Sequence, residues 1–415
     1  MEPLLYLTHR IPYPPNKGDK VRSFHILRYL ASRYRIYLGS FVDQPEDWGH
    51  AERLKEFCAG VKLLPVHPMR ARFKSLLGFA TGAPLTLHYY RNAELRAWVE
   101  QIVEAERIGK AVVFCSAMAQ YVEGLRTLKR VVDFVDVDSQ KWLQYAHQRT
   151  WPMSAVYKRE ARCLLQYERQ VAAWSDQSFL VTRAEADLFK SVAPEVAHRT
   201  GYFNNGVDTE FFSPRHALTS PYDSNEWPLC FTGAMDYWPN IDAVVWFAKE
   251  VFPAIRTQRP SASFHIVGMN PAPAVRALAV LPGIKVSGAV PDIRPYLKYA
   301  AVVVVPLRVA RGIQNKVLEA MAMAKAVVIS EGAAEGLAGR DGQEFLVAKS
   351  ASDYVSEILA LGEEARSAVL GAAARISVLE HYNWDKNLQV LGEALVTAAV
   401  PTEHAGRCEG ALFST

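Results

Sequence analysis

Several features that would assign the chain to a specialised class are missing. Its five cysteines are odd in number, widely spaced and free of any CxxC or Cys/His cluster. This argues against a disulfide framework or a structural zinc site and favours a reducing compartment. No apolar run reaches the ~18 residues that a membrane-spanning helix needs, and the opening residues lack the basic start and long apolar core of a signal peptide. These absences predict a cytoplasmic protein.

The composition is that of a globular protein. Of the 415 residues, 50% are hydrophobic and 22% charged, which excludes a disordered or fibrous chain and, at this length, predicts two domains. Residues 1–215 hold 30 Lys and Arg against 23 Asp and Glu, a net charge of +7, whereas residues 216–415 hold 17 against 20, a net charge of −3. The basic first half favours an anionic surface as a partner, although chance solvation explains it equally well. Nucleic-acid binding is not expected, because the basic residues are dispersed and accompany no recognition motif.

Short apolar runs alternate with longer amphipathic stretches along the whole chain. The runs predict buried strands at Leu4–Thr8, Ile36–Val42, Val61–Pro65, Ala111–Cys115, Arg130–Val135, Ser178–Val181, Leu229–Thr232, Ser263–Val267, Ile284–Ser287, Ala301–Val305 and Ala326–Ser330. The amphipathic stretches predict helices at Arg22–Arg33, Glu94–Glu104, Pro152–Ala173, Ile241–Arg256, Asn315–Ala324 and Asn383–Ala398. This alternation predicts an α/β fold with parallel sheets covered on both faces. Residues 213–228 hold three prolines and no periodicity, so they are predicted to link two Rossmann-like halves, residues 1–212 and 229–380. A C-terminal helical stretch, residues 381–400, and a loose tail, residues 401–415, complete the organisation.

The run Val303–Ser330 combines a strand, a loop and a helix in an order that suits a phosphate group. The strand ends at Pro306, and the helix is predicted to begin near Ile313. The N-terminus of a helix beyond a strand end offers free N–H groups and partial positive charge to an anion. Lys316 can add a full charge to a diphosphate, and Glu319, one turn deeper on the same face, can accept hydrogen bonds from a ribose diol. An exposed Lys–Glu helix pair has the same spacing, and that alternative remains open.

Several segments together resemble a known family. Asn315–Ser330 resembles the signature helix of retaining glycosyltransferases of family four, which have the GT-B fold, and His9–Arg22 resembles the subgroup of bacterial exopolysaccharide sugar transferases associated with PEP-CTERM systems. Further segments resemble family motifs in the same order and at similar distances: Asn205–Pro214, Phe231–Asn240, His265–Gly268 and Val286–Asp292.

The resemblance implies an activity and an architecture. Two Rossmann-like domains would face each other across a cleft, and a hexose would pass with retention from a nucleotide-diphosphate sugar to a saccharide or lipid-linked acceptor. The donor would bind the C-terminal domain, the acceptor the N-terminal one, and residues 381–400 would return to the N-terminal domain. No metal and no cofactor are implied. Asp136 and Asp138 form the chain's only Asp-x-Asp motif, which we interpret as acceptor-side polar lining, with a manganese site as the alternative.

The implied site residues fall into three groups. The predicted catalytic residues are Lys316, Glu319, Arg311 and His9. The predicted donor-binding residues are Gly18, Gly233, Trp238, Gly268, Val290, Arg308, Gly312, Gln314 and Asn315. On the acceptor side are Lys17, Asp19, Asp133 and Asp136. One departure is notable: the family commonly has a Glu eight positions before the helix Glu, where this chain has Arg311. Recognition of the transferred sugar is therefore expected to differ, because an Arg donates hydrogen bonds where a Glu accepts them.

Alternatives remain for the partner and for the function. Met69–Leu77 alternates basic with apolar residues, which favours peripheral contact with the anionic inner face of the plasma membrane; a surface helix with Phe73 and Leu77 packed inward is equally consistent. A sugar-nucleotide epimerase or a non-catalytic saccharide-binding protein would share the two-domain organisation.

Overall fold

The protein is described by a computed structural model that covers residues 1–15, 18–147, 149–310 and 312–397, with the backbone alone at 68, 70 and 72. Within these ranges the chain forms two entirely parallel sheets, one in each half. The predicted tail, residues 401–415, lies outside the described residues, as do Lys17 and Arg311.

The first sheet has seven strands in the order β3-β2-β1-β4-β5-β6-β7. Their bounds are β1 Pro3–Thr8, β2 Arg35–Val42, β3 Cys58–Pro65, β4 Lys110–Phe114, β5 Lys129–Val135, β6 Gln177–Leu180 and β7 Thr200–Tyr202. The helices of this half are α1 Gly18–Ala31, α2 Ala51–Leu54, α3 Pro68–Ser75, α4 Leu77–Thr81, α5 Leu85–Tyr89, α6 Ala93–Ala105, α7 Asp138–His147, α8 Met153–Trp174 and α9 Arg183–Val192. The strand order reverses between β1 and β4, which places a crevice beyond their carboxyl ends.

The second sheet repeats this plan with six strands in the order β10-β9-β8-β11-β12-β13. Their bounds are β8 Trp227–Thr232, β9 Ala262–Val267, β10 Ile284–Gly288, β11 Val302–Val305, β12 Val327–Ser330 and β13 Leu346–Ala348. The helices that follow β8 in the chain are α10 Trp238–Trp246, α11 Phe252–Gln258, α12 Pro273–Arg276, α13 Arg294–Tyr299, α14 Asn315–Ala322, α15 Glu331–Ala334, α16 Ala351–Ala360, α17 Glu364–His381, α18 Trp384–Asn387 and α19 Gln389–Val396. Here the order reverses between β8 and β11.

The strands predicted from the apolar runs are present, within a few residues of the predicted ends. Two further strands, β7 and β13, were not predicted, because each spans only three residues and such runs carry no detectable alternation. The helix predicted over Ile241–Arg256 is interrupted by a π-helical turn at Phe247–Val251. Pro253 follows directly and has no N–H to donate, so the regular hydrogen-bond ladder cannot continue through this point.

The segment between the sheets and the C-terminal helices connect the two halves. Tyr222 lies in the predicted linker, and its hydroxyl donates to the Tyr296 carbonyl at 2.6 Å, so this segment packs on the C-terminal half. The apolar residues of α18 and α19, Trp384, Leu388, Leu391 and Leu395, are buried in the core of the N-terminal half. The chain thus crosses between the halves twice.

Candidate active site

The Lys316 side chain lies at the carboxyl end of β8. α14 begins at Asn315, as the predicted helix Asn315–Ala324 does, and this puts Lys316 in its first turn. The Lys316 ammonium group donates to Asn240 Oδ1 at 2.6 Å and lies 4.2 Å from the centre of the Phe231 ring. It also approaches Gly233 so closely that a Cβ there would lie 2.9 Å from the nitrogen. A side chain at position 233 would therefore compete with the Lys316 ammonium group for this space.

Burial shifts the ionisation of Lys316 and Glu319 toward neutrality. Desolvation lowers the pKa of Lys316 to about 7, with Glu319 opposing the shift. Desolvation raises the pKa of Glu319 to about 7, with Lys316 opposing it. Both side chains keep partial exposure and they interact electrostatically, so they occupy the same side of α14. Because burial perturbs both pKa values, Lys316 and Glu319 do not behave as a solvated Lys–Glu pair on a helix surface. Groups whose pKa is perturbed in this way concentrate at functional sites.

The start of α14 faces the N-terminal half. Asn315 Oδ1 accepts a hydrogen bond from Asn205 Nδ2 at 3.3 Å, and Asn315 Nδ2 lies 3.8 Å from the position of a Cβ on Gly18. Gly312 adopts a left-handed conformation with φ of +65°, and a Cβ there would lie 3.3 Å from Asp136 Oδ1. The loop before α14 and the strand ends of the other half therefore meet across a narrow crevice.

On the N-terminal side, His9 and Asp19 follow β1 as predicted and contact each other. His9 Nε2 lies 3.4 Å from Asp19 Oδ2, and Arg10 Nη1 donates to the same oxygen at 2.6 Å. Arg10 also pairs with Asp43 at 2.9 Å. The His9 ring stacks on Phe114 with a centroid distance of 5.7 Å, so its orientation is set by packing as well as by the carboxylate.

The environment of His9 favours its protonated form. Burial disfavours the charged ring, but the Cys115 thiol and the Asp19 carboxylate beside it outweigh burial and raise the pKa of His9 to about 10. Burial likewise raises the pKa of Asp19, but hydrogen bonding to His9 and the charge of Arg10 hold it well below its usual range. This environment favours His9 as a hydrogen-bond donor at neutral pH.

Asp136 and Asp138 share one cation. The Lys141 ammonium donates to Asp136 Oδ2 at 2.5 Å and to Asp138 Oδ1 at 3.3 Å. Burial lowers the pKa of Lys141, but the two carboxylates outweigh it and raise that pKa well above its usual range. A permanent ammonium group between the carboxylates occupies the position that a manganese ion would need. Asp136 remains at the crevice opposite Gly312, as an acceptor-side residue would.

The prediction for Asp133 does not fit the structure. Asp133 is fully buried, and its two carboxylate oxygens accept from Arg22 at 2.7 and 3.0 Å. A carboxylate held in this way has no exposed oxygen for an acceptor hydroxyl. The Asp133 side chain points toward Arg22 of α1 and not toward the crevice. Successive side chains of a strand point to opposite faces, and the sequence does not reveal which face each one takes.

The remaining predicted donor residues surround the second sheet's strand ends. Gly268 follows β9 and packs against the Gly233 carbonyl, and Val290 follows β10. Arg308 follows β11 and pairs with Asp242 at 3.0 Å, so its charge is shared with a carboxylate. Trp238 opens α10 and is 41% exposed. Gln314 precedes α14 and donates to the Gly312 carbonyl at 3.2 Å.

Sequence reasoning missed four side chains of this region. Asn240 holds Lys316, Asn205 contacts Asn315, Lys141 neutralises Asp136, and Cys115 adjoins His9 with φ of +75°. Asn205 and Asn240 lie within the segments that resemble family motifs, and their place in those segments could have identified them. Nothing in the sequence distinguishes Lys141 or Cys115 from other residues of their type.

Among the described residues, no three His, Cys, Asp or Glu side chains form a group that could hold a metal ion. In the same ranges, none of the helices is both long and apolar enough to cross a bilayer.

Part of the C-terminal half is similar to a known sequence family. Residues 228–364 match the model of the family described as "Glycosyl transferases group 1". This match includes Gly233, Asn240, Lys316 and Glu319. None of the curated protein sequences matches the chain.

Solved structures match nearly the whole chain. HepE of Anabaena in complex with UDP has 15% sequence identity and a TM-score of 0.64, over 95% of this chain and 99% of that one. Sucrose-phosphate synthase of Thermosynechococcus elongatus has 16% identity and a TM-score of 0.64, over 95% and 98%. WaaG, a glycosyltransferase involved in lipopolysaccharide biosynthesis, has 14% identity and a TM-score of 0.65, over 95% and 100%. The chain therefore has the two-domain α/β architecture of these proteins, which is the GT-B fold that the family resemblance implies.

Proposed function

We propose that the chain is a retaining glycosyltransferase of family four that transfers a sugar from a nucleotide-diphosphate donor. The observation that carries the proposal is the position of Lys316, held by Asn240 between Gly233 and the start of α14, at the carboxyl edge that faces the other half. A cation beside a helix N-terminus is suited to a diphosphate. The match of residues 228–364 supports the same activity, and so do the HepE structures with UDP and with UDP-glucose.

The residues divide the chemistry between the two halves. Lys316 and the free N–H groups of α14 stabilise the negative charge that develops on the departing diphosphate, and such preorganised donors supply a large part of many rate enhancements. Glu319 accepts hydrogen bonds from the ribose hydroxyls. His9, protonated and oriented by Asp19, donates to an oxygen of the acceptor. As the family resemblance implies, the leaving phosphate takes the proton of the acceptor hydroxyl, so His9 is not needed as a base.

Transfer assays on two site variants test this assignment. Lys316→Ala and Glu319→Ala are each expected to reduce transfer from the preferred nucleotide sugar by about a hundredfold or more, the typical loss when an electrostatic donor is removed. Lys349→Ala is the matched control, because Lys349 is exposed and pairs only at the surface with Glu331. Near-normal turnover of both site variants would contradict the proposal.

Product analysis separates this function from the two alternatives. A transferase releases nucleoside diphosphate and joins the sugar to an added acceptor. An epimerase would release an altered sugar without an acceptor, and a binding protein would take up nucleotide sugar without any slow hydrolysis. We expect acceptor-dependent release of nucleoside diphosphate, and we expect it to persist in EDTA because Lys316 and the N–H groups of α14 carry the charge of the leaving group.

For the acceptor, we propose a lipid-linked saccharide of an exopolysaccharide pathway, reached at the inner face of the plasma membrane. Polar contacts hold α4 and α5 on α8: Arg159 donates to the Ala83 carbonyl at 3.2 Å, and Glu160 accepts from the Leu85 and Thr86 N–H groups at 2.8 and 3.0 Å. Phe73 and Leu77 meanwhile face outward, so the alternative in which they pack inward does not hold.

Large apolar side chains of α3, of α4 and of the segment before α8 are exposed. Met69 is 75% exposed, Phe73 73% and Leu77 57%, and Trp151, just before α8, is 82% exposed. Met69, Phe73 and Leu77 follow one another along α3 and the start of α4, and neighbouring exposed apolar groups of this size mark interaction sites. Together with the net charge of +7 in residues 1–215, they suit an anionic bilayer, into which the apolar groups insert while the basic groups contact the head groups.

A further inference from the structure

A buried arginine begins a chain of hydrogen bonds that ends at the candidate donor site. Arg22 of α1 is 1% exposed, and its Nε and Nη2 donate to the two oxygens of Asp133. Its Nη1 donates to the Phe203 carbonyl at 3.0 Å and to Asn205 Oδ1 at 2.9 Å. A guanidinium group can only donate, so every group around it must present an acceptor.

This requirement sets the orientation of the Asn205 amide. Were the amide rotated by half a turn, its NH₂ group would face Nη1 of Arg22, and two donors would oppose each other in a buried site. The oxygen of Asn205 therefore faces Arg22, and its nitrogen faces Asn315 Oδ1 at 3.3 Å. Asn205 is 7% exposed, so water cannot readily compensate for the wrong orientation.

The same reasoning extends to Asn315. Because its oxygen accepts from Asn205, its NH₂ group points the other way, toward Gly18 at the start of α1, where the absent Cβ leaves room. Lys316, the next residue, reaches the end of β8. The NH₂ group of Asn315 therefore lies at the same helix start that we assign to the diphosphate.

We propose that Arg22 and Asn205 are positioning residues of the donor site, which fix the Asn315 amide as a hydrogen-bond donor to a diphosphate oxygen. Diphosphate oxygens can only accept at neutral pH, so an amide of the opposite orientation would repel them. The inference rests on the proposed function. It adds that the N-terminal half takes part in donor recognition through Asn205, although Asn315 belongs to the C-terminal half.

Asn205→Asp is the decisive variant, because it preserves shape and the contact with Arg22 but removes the donated hydrogen bond. The carboxylate would accept from Asn315, which must then turn its oxygen toward the ligand. We expect the melting temperature to be unchanged or higher, and the dissociation constant for the preferred nucleoside diphosphate, measured by calorimetry with UDP, ADP, GDP and dTDP, to rise about tenfold or more. A purely structural role of Asn205 would leave that affinity unchanged.

A double-mutant cycle excludes simple charge repulsion. In an Asn315→Ala background, Asn205→Asp is expected to change the dissociation constant less than twofold, because the amide that it reorients is gone. Asn204→Asp, the same charge one residue away, is the matched control and should bind normally. An equal loss in both backgrounds, or normal binding by Asn205→Asp, would overturn the inference alone. Failure of the unsubstituted protein to bind any nucleoside diphosphate would overturn the proposed function and the inference together.

Discussion

The protein by itself only weakly stabilises the charged form of the Lys316 side chain. Its near neighbours, Asn240 and Phe231, supply a neutral oxygen and a ring face, and burial brings its pKa to about 7. A bound diphosphate would supply the missing negative charge. We therefore expect Lys316 to gain a proton when a diphosphate binds.

Proton uptake on binding follows from this arrangement. Since the diphosphate raises the pKa of Lys316, binding above pH 7 should take up a proton, and the affinity for UDP, or for whichever diphosphate binds, should weaken by up to about tenfold per pH unit. Calorimetry in two buffers of different ionisation enthalpy measures this uptake. Lys316→Arg, which stays charged, should bind without the uptake, and Glu319→Gln separates any contribution from Glu319. Proton release, or equal uptake by Lys316→Arg, would contradict the assignment.

Among the elements, α18 has the clearest role, because it carries Trp384 onto α1. The Trp384 ring stacks on His25 at a centroid distance of 4.5 Å and an angle of 8°. A Cβ on Gly206 would lie 2.7 Å from the same indole, so the segment before the linker also packs against Trp384. Burial, assisted by Arg28 and opposed by Asp208, lowers the pKa of His25 to about 4.

This shift predicts acid sensitivity at the contact between α18 and α1. The unfolded chain protonates His25 near its ordinary pKa of 6.5 and the folded protein only near 4, so the stability is complete above pH 6.5 and is lost as the pH falls toward 4. His25→Phe retains a stacked ring without the titration. We expect the two proteins to melt at similar temperatures at pH 7, and the unsubstituted protein to melt about 2–4 °C lower than the variant at pH 4.5. Parallel pH profiles would show that His25 does not titrate in this way.

For the whole molecule, the exposed side chains of Met69, Phe73, Leu77 and Trp151 are the basis of the proposed membrane contact. Hydrogen bonds from Arg159 and to Glu160 attach the segment of α4 and α5 to α8. The apolar side chains named above remain exposed. An enzyme attached there would meet a lipid-linked acceptor in two dimensions and not in bulk solution.

Vesicle sedimentation tests this placement. The protein should bind vesicles that contain phosphatidylserine and should release them at high salt, whereas Phe73→Ser should weaken binding about tenfold, the loss expected for one inserted aromatic side chain. Val369→Ser is the matched control, because Val369 is 72% exposed but lies on α17 of the other half. Equal binding by both variants, or binding to neutral vesicles alone, would argue against the proposed surface.

Sequence patterns predicted most of the scaffold of the site. Strand runs such as Val302–Val305 are buried throughout, and a run of β-branched residues between turn formers can hardly be accommodated in another way. Lys316 and Glu319 were predicted because helical spacing by itself places them on one side of α14. The π-helical turn at Phe247–Val251 was not predicted, since a single proline reveals a break but not the form that it takes.

Asp133 and Asp136 show where sequence reasoning ends. They stand three residues apart at the end of one strand, yet one is enclosed by Arg22, 111 positions away, and the other lies at the crevice opposite Gly312. Local pattern and composition are sufficient for the alternating α/β order and the helix that carries Lys316, because those depend on neighbours along the chain. The partners of Asp133, the protonation of His9 and the orientation of Asn315 come from the tertiary structure alone, because hydrogen bonds and desolvation depend on which distant groups the fold brings within a few ångströms.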